Sequence, residues 1–135
     1  MTRAEVAREY FKNGYACSQA VALAFQKDVN VDAETLEKIT LPFGGGLGRL
    51  RLTCGAVSGM AATYGLFIDE TGASPELKKK VYAGVRELCA RFESANGSLI
   101  CSDLLALGKR PCAEIVYTAT EILETYLIEQ GLLEK

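Results

Sequence analysis

Apolar residues recur at intervals of three to four positions along most of the chain, which is the spacing of one face of an α-helix. At the N-terminus, such a stripe follows Thr2 and Glu5, whose spacing is that of a capping box. Ser74 followed by Pro75 marks the start of a longer helix. No stretch alternates convincingly with the period of two that is typical of a strand. The pattern predicts helices over residues 3–12, 16–27, 32–39, 53–67, 75–93 and 111–130, with a shorter segment at residues 98–107.

A glycine-rich stretch separates the first helices from the rest. Residues 44–48 contain four glycines, which do not sustain a helix, so an ordered loop is expected there. The helix that follows, at residues 53–67, is rich in Gly, Ala and Ser, and small side chains let a neighbouring backbone approach closely. We therefore predict an all-α fold: a compact single-domain bundle of about five to six helices, with this loop before a central small-residue helix. No linker or repeat divides the chain, so residues 1–135 are expected to form one domain.

Composition and charge restrict the class of protein. The chain has 135 residues, of which 49% are hydrophobic and 24% charged, with a net charge of −2, as in an ordinary soluble globule. That charge gives no global attraction to nucleic acid or to anionic membranes. No signal peptide is visible, and no apolar run approaches the ~18–20 residues of a membrane span. We expect a cytoplasmic protein with neither nucleic acid nor membrane as a partner.

Five cysteines and the absence of histidine define the available chemistry. Without histidine there is no Cys-His catalytic pair, no Ser-His-Asp triad, no His-ligated haem and no Cys₂His₂ zinc site. Any metal would be held by thiolates, carboxylates or the backbone. Cys89 lies in the middle of the helix at 75–93, beside Leu88 and Val85, and is predicted to be a small hydrophobic core residue.

The other four cysteines share a different position, because each lies near a predicted helix start. These are Cys17, Cys54, Cys101 and Cys112. Unpaired N–H groups and the helix dipole stabilise a thiolate there, and the pKa of such a cysteine falls to about 3.5–7.5. Basic residues near Cys54 and Cys112 in the sequence would add to the effect: Arg49, Arg51, Lys109 and Arg110. The four thiols are therefore the predicted catalytic residues, or the metal ligands if the protein binds a metal.

The spacing of the cysteines excludes the compact thiol motifs. There is no C-x-x-C, so the chain has neither a thioredoxin-type motif nor a zinc ribbon. Four separate segments contribute the four cysteines, so any common site must be assembled by the fold.

The cysteine pattern resembles that of the C_GCAxxG_C_C family, whose members are described as redox-active. The resemblance spans nearly the whole chain and rests on Cys17, the hexapeptide Cys54-Gly55-Ala56-Val57-Ser58-Gly59, Cys101, the turn Arg110-Pro111-Cys112 and the loop Phe43-Gly44-Gly45-Gly46. Where the family label reads Gly-Cys-Ala, this chain has Cys54 followed by Gly55 and Ala56. The resemblance implies a redox role, with an oxidoreductase or another redox protein as the partner.

Two redox chemistries fit four cysteines without histidine. In the first, slightly favoured, the protein is a dithiol/disulfide protein in which Cys101 pairs with Cys112 and Cys17 with Cys54. Cys112, as the thiolate of lowest pKa, would attack a disulfide of the partner. In the second, the same four thiolates hold an iron–sulfur cluster or zinc and carry electrons for a larger oxidoreductase.

A third hypothesis concerns the glycine-rich loop. Gly45 and Gly46, with Arg49 and Arg51 beside them, form a candidate cradle for an anionic cofactor. The favoured alternative is that the glycines only permit tight packing against the cysteine helix. The sequence matches neither nucleotide-binding glycine motif. A small helical domain of this kind is also compatible with a homodimer.

Overall fold

The computed structural model describes residues 1–134 and contains seven α-helices there. They are α1 (Arg3–Lys12), α2 (Cys17–Leu23), α3 (Ala33–Thr40), α4 (Gly55–Leu66), α5 (Pro75–Asn96), α6 (Cys101–Leu107) and α7 (Cys112–Glu129). Short 3₁₀ turns cover Gln26–Asp28 and Leu41–Phe43, and no strand occurs within residues 1–134. The predicted all-α fold is therefore confirmed.

Capping residues explain where several helices begin. Thr2 accepts from the Glu5 N–H at 3.1 Å while the Glu5 carboxylate accepts from the Thr2 N–H at 2.7 Å, so the predicted capping box forms. Ser74 caps α5 by accepting from the Leu77 N–H at 3.1 Å, with Pro75 in the first turn. These local signals satisfy backbone donors that a helix cannot satisfy internally.

Two helices end differently from the sequence prediction. The helix predicted to reach Lys27 ends at Leu23, because the next turn is of the 3₁₀ type, in which the Phe25 N–H donates to the Ala22 carbonyl. The Phe25 ring is buried in the core. The helix predicted to end near Glu93 continues to Asn96, whose buried amide donates to the Phe92 carbonyl.

Helix α4 lies at the centre of the bundle and packs against α2, α5 and α7. Its small residues make this contact close: a Cβ added to Gly59 would lie 2.6 Å from the Ser18 carbonyl oxygen of α2. The Ser18 hydroxyl in turn donates to the Thr40 carbonyl at 2.6 Å, which ties α2 to α3. The predicted central small-residue helix is thus confirmed, with glycine at the point of closest approach.

A short backbone pairing joins two segments that are distant in sequence. The Cys54 N–H donates to the Leu99 carbonyl at 2.8 Å, and the Cys101 N–H donates to the Leu52 carbonyl at 2.6 Å. This pairing places the start of α4 beside the start of α6. None of the helices within residues 1–134 combines the length and apolar character required to cross a membrane.

Candidate functional site

Each of the four predicted site cysteines occupies the first position of a helix or the cap before it. Cys17, Cys101 and Cys112 are the first residues of α2, α6 and α7, and Cys54 is the N-cap of α4. The predicted placement of these cysteines at helix starts is confirmed. Four helices therefore place their N-terminal ends, with positive partial charge, at the cysteine positions, and at α6 the first N–H groups are already bonded to the Leu52 and Arg51 carbonyls.

The four cysteines line one cavity of about 720 Å³. Their exposure is graded: Cys54 and Cys101 are buried, Cys17 is half-buried and Cys112 is exposed. The structure thus brings together four residues that the sequence distributes over 96 positions, from residue 17 to residue 112.

Apolar side chains form much of the remaining cavity wall, and they were not predicted from the sequence. They include Phe11, Tyr15, Leu104, Leu105 and Ile115. For three of these residues, the spacing from a cysteine in the sequence predicts a position beside the thiol. Leu104 and Leu105 follow Cys101 by three and four positions, and Ile115 follows Cys112 by three, which places them on the same helix faces as the thiols.

Glycines allow the backbone to pack tightly around the thiols. A Cβ added to Gly55 would overlap the Cys17 sulfur, so the start of α4 lies directly against Cys17. A Cβ added to Gly46 would lie 2.8 Å from the Cβ of Cys101 and 2.7 Å from the Leu52 nitrogen. These contacts support the interpretation of the glycines as packing residues.

The glycine-rich loop adopts a left-handed conformation over five consecutive residues, 45–49. Two of them, Leu47 (φ 70°) and Arg49 (φ 63°), are not glycine, and Arg51 (φ 62°) is also left-handed. Each such residue costs about 1–2 kcal/mol relative to ordinary backbone. Nothing in the local sequence pattern indicates this strain.

Much of the backbone of the loop is hydrogen-bonded within the loop itself. The N–H groups of residues 47–52 all donate to carbonyls within residues 42–47. Gly46 packs beneath Cys101, whereas Gly45, Arg49 and Arg51 line the cavity. Three of the four residues of the candidate anion cradle thus lie at the cavity wall, and anion binding there stays a prediction.

The pKa of two site thiols is shifted opposite to the sequence prediction. Burial raises the pKa of Cys54 to about 12, with the neighbouring Cys17 and Cys101 thiols acting in the same direction against the N–H groups of Ala56 and Val57. The predicted fall in pKa at this helix start is wrong, because removal of the thiolate from water outweighs the helix terminus.

Cys112 behaves similarly, although it was the predicted thiolate of lowest pKa. Although Cys112 as a whole is exposed, partial desolvation of its thiol at the cavity raises its pKa, as do Cys17 and Cys101, while Arg51 opposes the shift. Arg51 also donates from Nη1 toward the Cys101 sulfur at 3.7 Å, so its guanidinium lies among the thiols. Cys17 and Cys101 therefore raise the pKa of both Cys54 and Cys112.

Cys89 lies apart from this cavity. It is half-buried on α5 and packs against the main hydrophobic cluster. Burial raises its pKa, with Glu93 adding to the shift. These observations agree with the predicted core role. Within residues 1–134, no group of three or more thiol or carboxylate residues is arranged so that it could hold a single metal ion.

Comparisons with known proteins agree with this fold and cysteine pattern. A family model described as "Putative redox-active protein (C_GCAxxG_C_C)" matches residues 15–126. No curated protein matches the chain. Among solved structures, the chain is similar to one described as "A novel iron centre in the split-Soret cytochrome c from Desulfovibrio desulfuricans ATCC 27774". The TM-score is 0.63 at 20% identity, over 97% of this chain and 70% of that one, which shows a shared fold.

Proposed function

We propose that this chain, which belongs to the C_GCAxxG_C_C family of redox-active proteins, transfers electrons through an iron–sulfur cluster. The ligands of the cluster would be Cys17, Cys54, Cys101 and Cys112. The observation that carries the proposal is the convergence of these four thiols, from four helix starts, on one cavity. When bound, such a cluster supplies one-electron oxidation and reduction.

The chemistry of the donor set fits a cluster. Four thiolates in one partly buried cavity repel one another, and this repulsion contributes to the raised pKa values of Cys54 and Cys112. A cationic iron–sulfur core would replace the lost protons and relieve the repulsion, so that binding is coupled to proton release. The four helix N-termini would stabilise the remaining negative charge on the sulfurs.

The spread of the ligands favours a cluster over a single zinc ion, because the thiolates of a cluster do not all bind one metal atom. Four thiolates around a tetrahedral zinc lie within bonding distance of one point, at about 2.3 Å. Among residues 1–134 no three such groups are arranged in this way, although the four cysteines line one cavity. The similar split-Soret cytochrome c is described as having a novel iron centre, which supports iron as the first metal to test.

Arg49 and Arg51 have a supporting role in this proposal. Both line the cavity with Gly45, and Arg51 donates toward the Cys101 sulfur. Hydrogen bonds to ligating sulfurs and nearby positive charge raise the reduction potential of a cluster.

We place this function in the cytoplasm, where thiols stay reduced. We also propose that residues 1–135 act as one domain, because the ligands come from both halves of the chain.

The experiment that tests the proposal is anaerobic purification followed by iron and acid-labile sulfide analysis, a visible absorption spectrum and a thiol count. We expect bound iron and sulfide with charge-transfer absorption. Each of the variants C17S, C54S, C101S and C112S should lose most of that absorption. Cys89→Ser is the matched control and should retain it, because Cys89 lies outside the cavity. Protein that binds no iron after anaerobic reconstitution would exclude the cluster.

Thiol–disulfide exchange is the second candidate, and the exposure of Cys112 favours it. The Cys112 thiolate would attack a disulfide of a partner protein, forming a mixed disulfide and releasing one partner thiolate. Cys101 would then displace the second partner sulfur, which leaves a Cys101–Cys112 disulfide and a partner reduced by two electrons. Cys17 and Cys54 would form the other pair. A metal-free protein whose free-thiol count falls by two or four on oxidation supports this candidate, and an unchanged count excludes it.

A further inference from the structure

Exposed hydrophobic side chains are concentrated in two segments that both contribute residues to the cavity wall. Of the eleven large hydrophobic residues that are exposed within residues 1–134, nine lie in residues 39–52 or 99–112, two segments that we call the mouth surface. They are Ile39, Leu41, Phe43, Leu47, Leu50, Leu52, Ile100, Leu105 and Leu107. Leu50 is 67% exposed, so the patch is not a continuation of the core. Concentrated apolar exposure of this kind marks an interaction site.

The two segments of the mouth surface are adjacent in space. Besides the pairing at Leu52 and Cys101, the Ser102 N–H donates to the Arg51 carbonyl at 3.3 Å. Leu41 and Arg49 from the first segment and Leu105 from the second all line the cavity. A protein bound on this surface would therefore cover the cavity that contains the four thiols.

Charge on the molecule is partitioned in the same way. The mouth surface contains four basic residues and one acidic residue, Asp103, whose carboxylate accepts from the Ser98 hydroxyl. The rest of the chain contains eleven basic and sixteen acidic residues. The two segments of the mouth surface thus have a net charge of about +3, whereas the remainder of the protein is acidic. The basic residues of the mouth surface are Arg49, Arg51, Lys109 and Arg110.

The loop that carries much of this surface is held in a strained but hydrogen-bonded conformation. Leu47 and Arg49 keep positive φ values, and the N–H groups around them are all bonded within the loop. Strained backbone that the surrounding structure holds in place is concentrated at functional sites. Here the conformation leaves Leu47 and Leu50 exposed beside Arg49.

We propose that the mouth surface docks an acidic redox protein, one that presents an apolar patch surrounded by Asp and Glu side chains. This inference rests on the proposed function, because the docked protein would be the electron-transfer partner of the site. Complementary charge of this kind orients two proteins during encounter, and apolar contact stabilises the complex.

Charge complementarity selects this occupant over the others. A symmetric homodimer through the same face would bring two positively charged surfaces together, which disfavours it. A membrane-binding surface is rich in Trp as well as in basic residues, but this chain contains no Trp and the patch has one aromatic residue. Nucleic acid binding depends mainly on phosphate contacts from basic residues, whereas exposed apolar residues outnumber basic ones here.

The test is a binding titration of the full chain with two electron-transfer proteins of opposite charge: an acidic plant-type ferredoxin and basic mitochondrial cytochrome c. We expect the ferredoxin to bind and its affinity to fall as ionic strength rises, whereas cytochrome c does not bind. Lys109→Glu and Leu50→Ser, which alter the mouth surface outside the site, should each weaken ferredoxin binding by about tenfold. Their matched controls on α5, Lys79→Glu and Tyr82→Ser, should not change it, since both residues are exposed there.

Several results would overturn the inference. These are the absence of ferredoxin binding at low ionic strength, equal binding of cytochrome c, or equal effects of the α5 variants. The inference would also be overturned by a dimer in sedimentation that Leu50→Ser dissociates, or by binding to vesicles of anionic phospholipid that the same variant abolishes. Titrations with both metal-free and reconstituted protein, each of known iron content, separate the two proposals. Ferredoxin binding without any iron uptake contradicts only the cluster, and iron uptake without ferredoxin binding contradicts only the docking surface.

Discussion

The cavity end of the bundle and the surface formed by α1, α5 and α7 are stabilised by different means. On the latter surface, Arg3 bonds to Asp28 and Glu124, and Arg91 bonds to Glu87 and Glu129. At the cavity end, no carboxylate of residues 1–134 lies within ion-pair distance of the four basic residues of the mouth surface. Exposed leucines, left-handed residues and thiols of raised pKa occur there instead.

The two regions differ in how far their local features agree with one another. Ion pairs along α1, α5 and α7, the caps of α1 and α5 and a filled core all act in the same direction, as expected where structure alone is required. The cavity end departs from those local rules in several ways at once. Departures of this kind are expected at a functional site, and they coincide here with the four cysteines of the family pattern.

The largest effect that would sharpen the comparison is a pH dependence at Cys54. Its pKa is raised in the folded protein, so folding favours the protonated thiol, and the stabilisation is lost as pH rises above the unfolded value of 9.0 toward about 12. The free energy of unfolding of metal-free protein should fall by up to about 4 kcal/mol over this range. Urea unfolding at a series of pH values measures it, with Cys54→Ser as the non-ionising control. Equal pH slopes in the two proteins would contradict the burial of this thiol.

A smaller effect is expected from filling the space under the cysteines. Gly46→Ala combines a positive φ of 76° with a new Cβ 2.8 Å from Cys101 and should destabilise the protein by about 3 kcal/mol. Gly48→Ala is the matched control, because Gly48 has φ of 56° but nothing within 4 Å of the added Cβ. It should cost only about 1 kcal/mol. Equal losses in urea unfolding would mean that strain alone, and not packing against Cys101, makes glycine necessary.

The smallest effect compares two arginines, one from each region. Arg3→Gln removes bonds to two carboxylates and should cost about 1 kcal/mol at low ionic strength, less as salt is added. Arg49→Gln removes a charge without a carboxylate partner in residues 1–134 and should leave the free energy of unfolding unchanged within about 0.5 kcal/mol. Thermal unfolding at two salt concentrations distinguishes them. A substantial loss of stability in Arg49→Gln would remove the contrast on which the comparison depends.

The sequence contained enough information for the helices and for the cysteine positions. Thr2 with Glu5, and Ser74 with Pro75, are local signals that act within one turn, and the structure uses them as predicted. The cysteine pattern also identified the family before any contact was known. Local sequence therefore sufficed where the physical cause was itself local.

The electrostatics of the site could not be predicted in the same way. A helix start lowers the pKa of a thiol, but the burial that raises the pKa of Cys54 and Cys112 depends on segments distant in the sequence. The left-handed conformation of Leu47 and Arg49 could not be predicted either, because nothing in their residue types favours positive φ. Both depend on contacts that exist only after the chain has folded.

The backbone pairing between Leu52–Cys54 and Leu99–Cys101 has a consequence for electron transfer. Two hydrogen bonds, from Cys54 to Leu99 and from Cys101 to Leu52, hold together the backbone segments that carry the Cys54 and Cys101 thiols, so these segments keep their relative position when the charge of the site changes. A polar environment that is already oriented needs little rearrangement as charge moves. For any one-electron chemistry in this cavity, the pairing therefore keeps the reorganisation energy contributed by these two positions low.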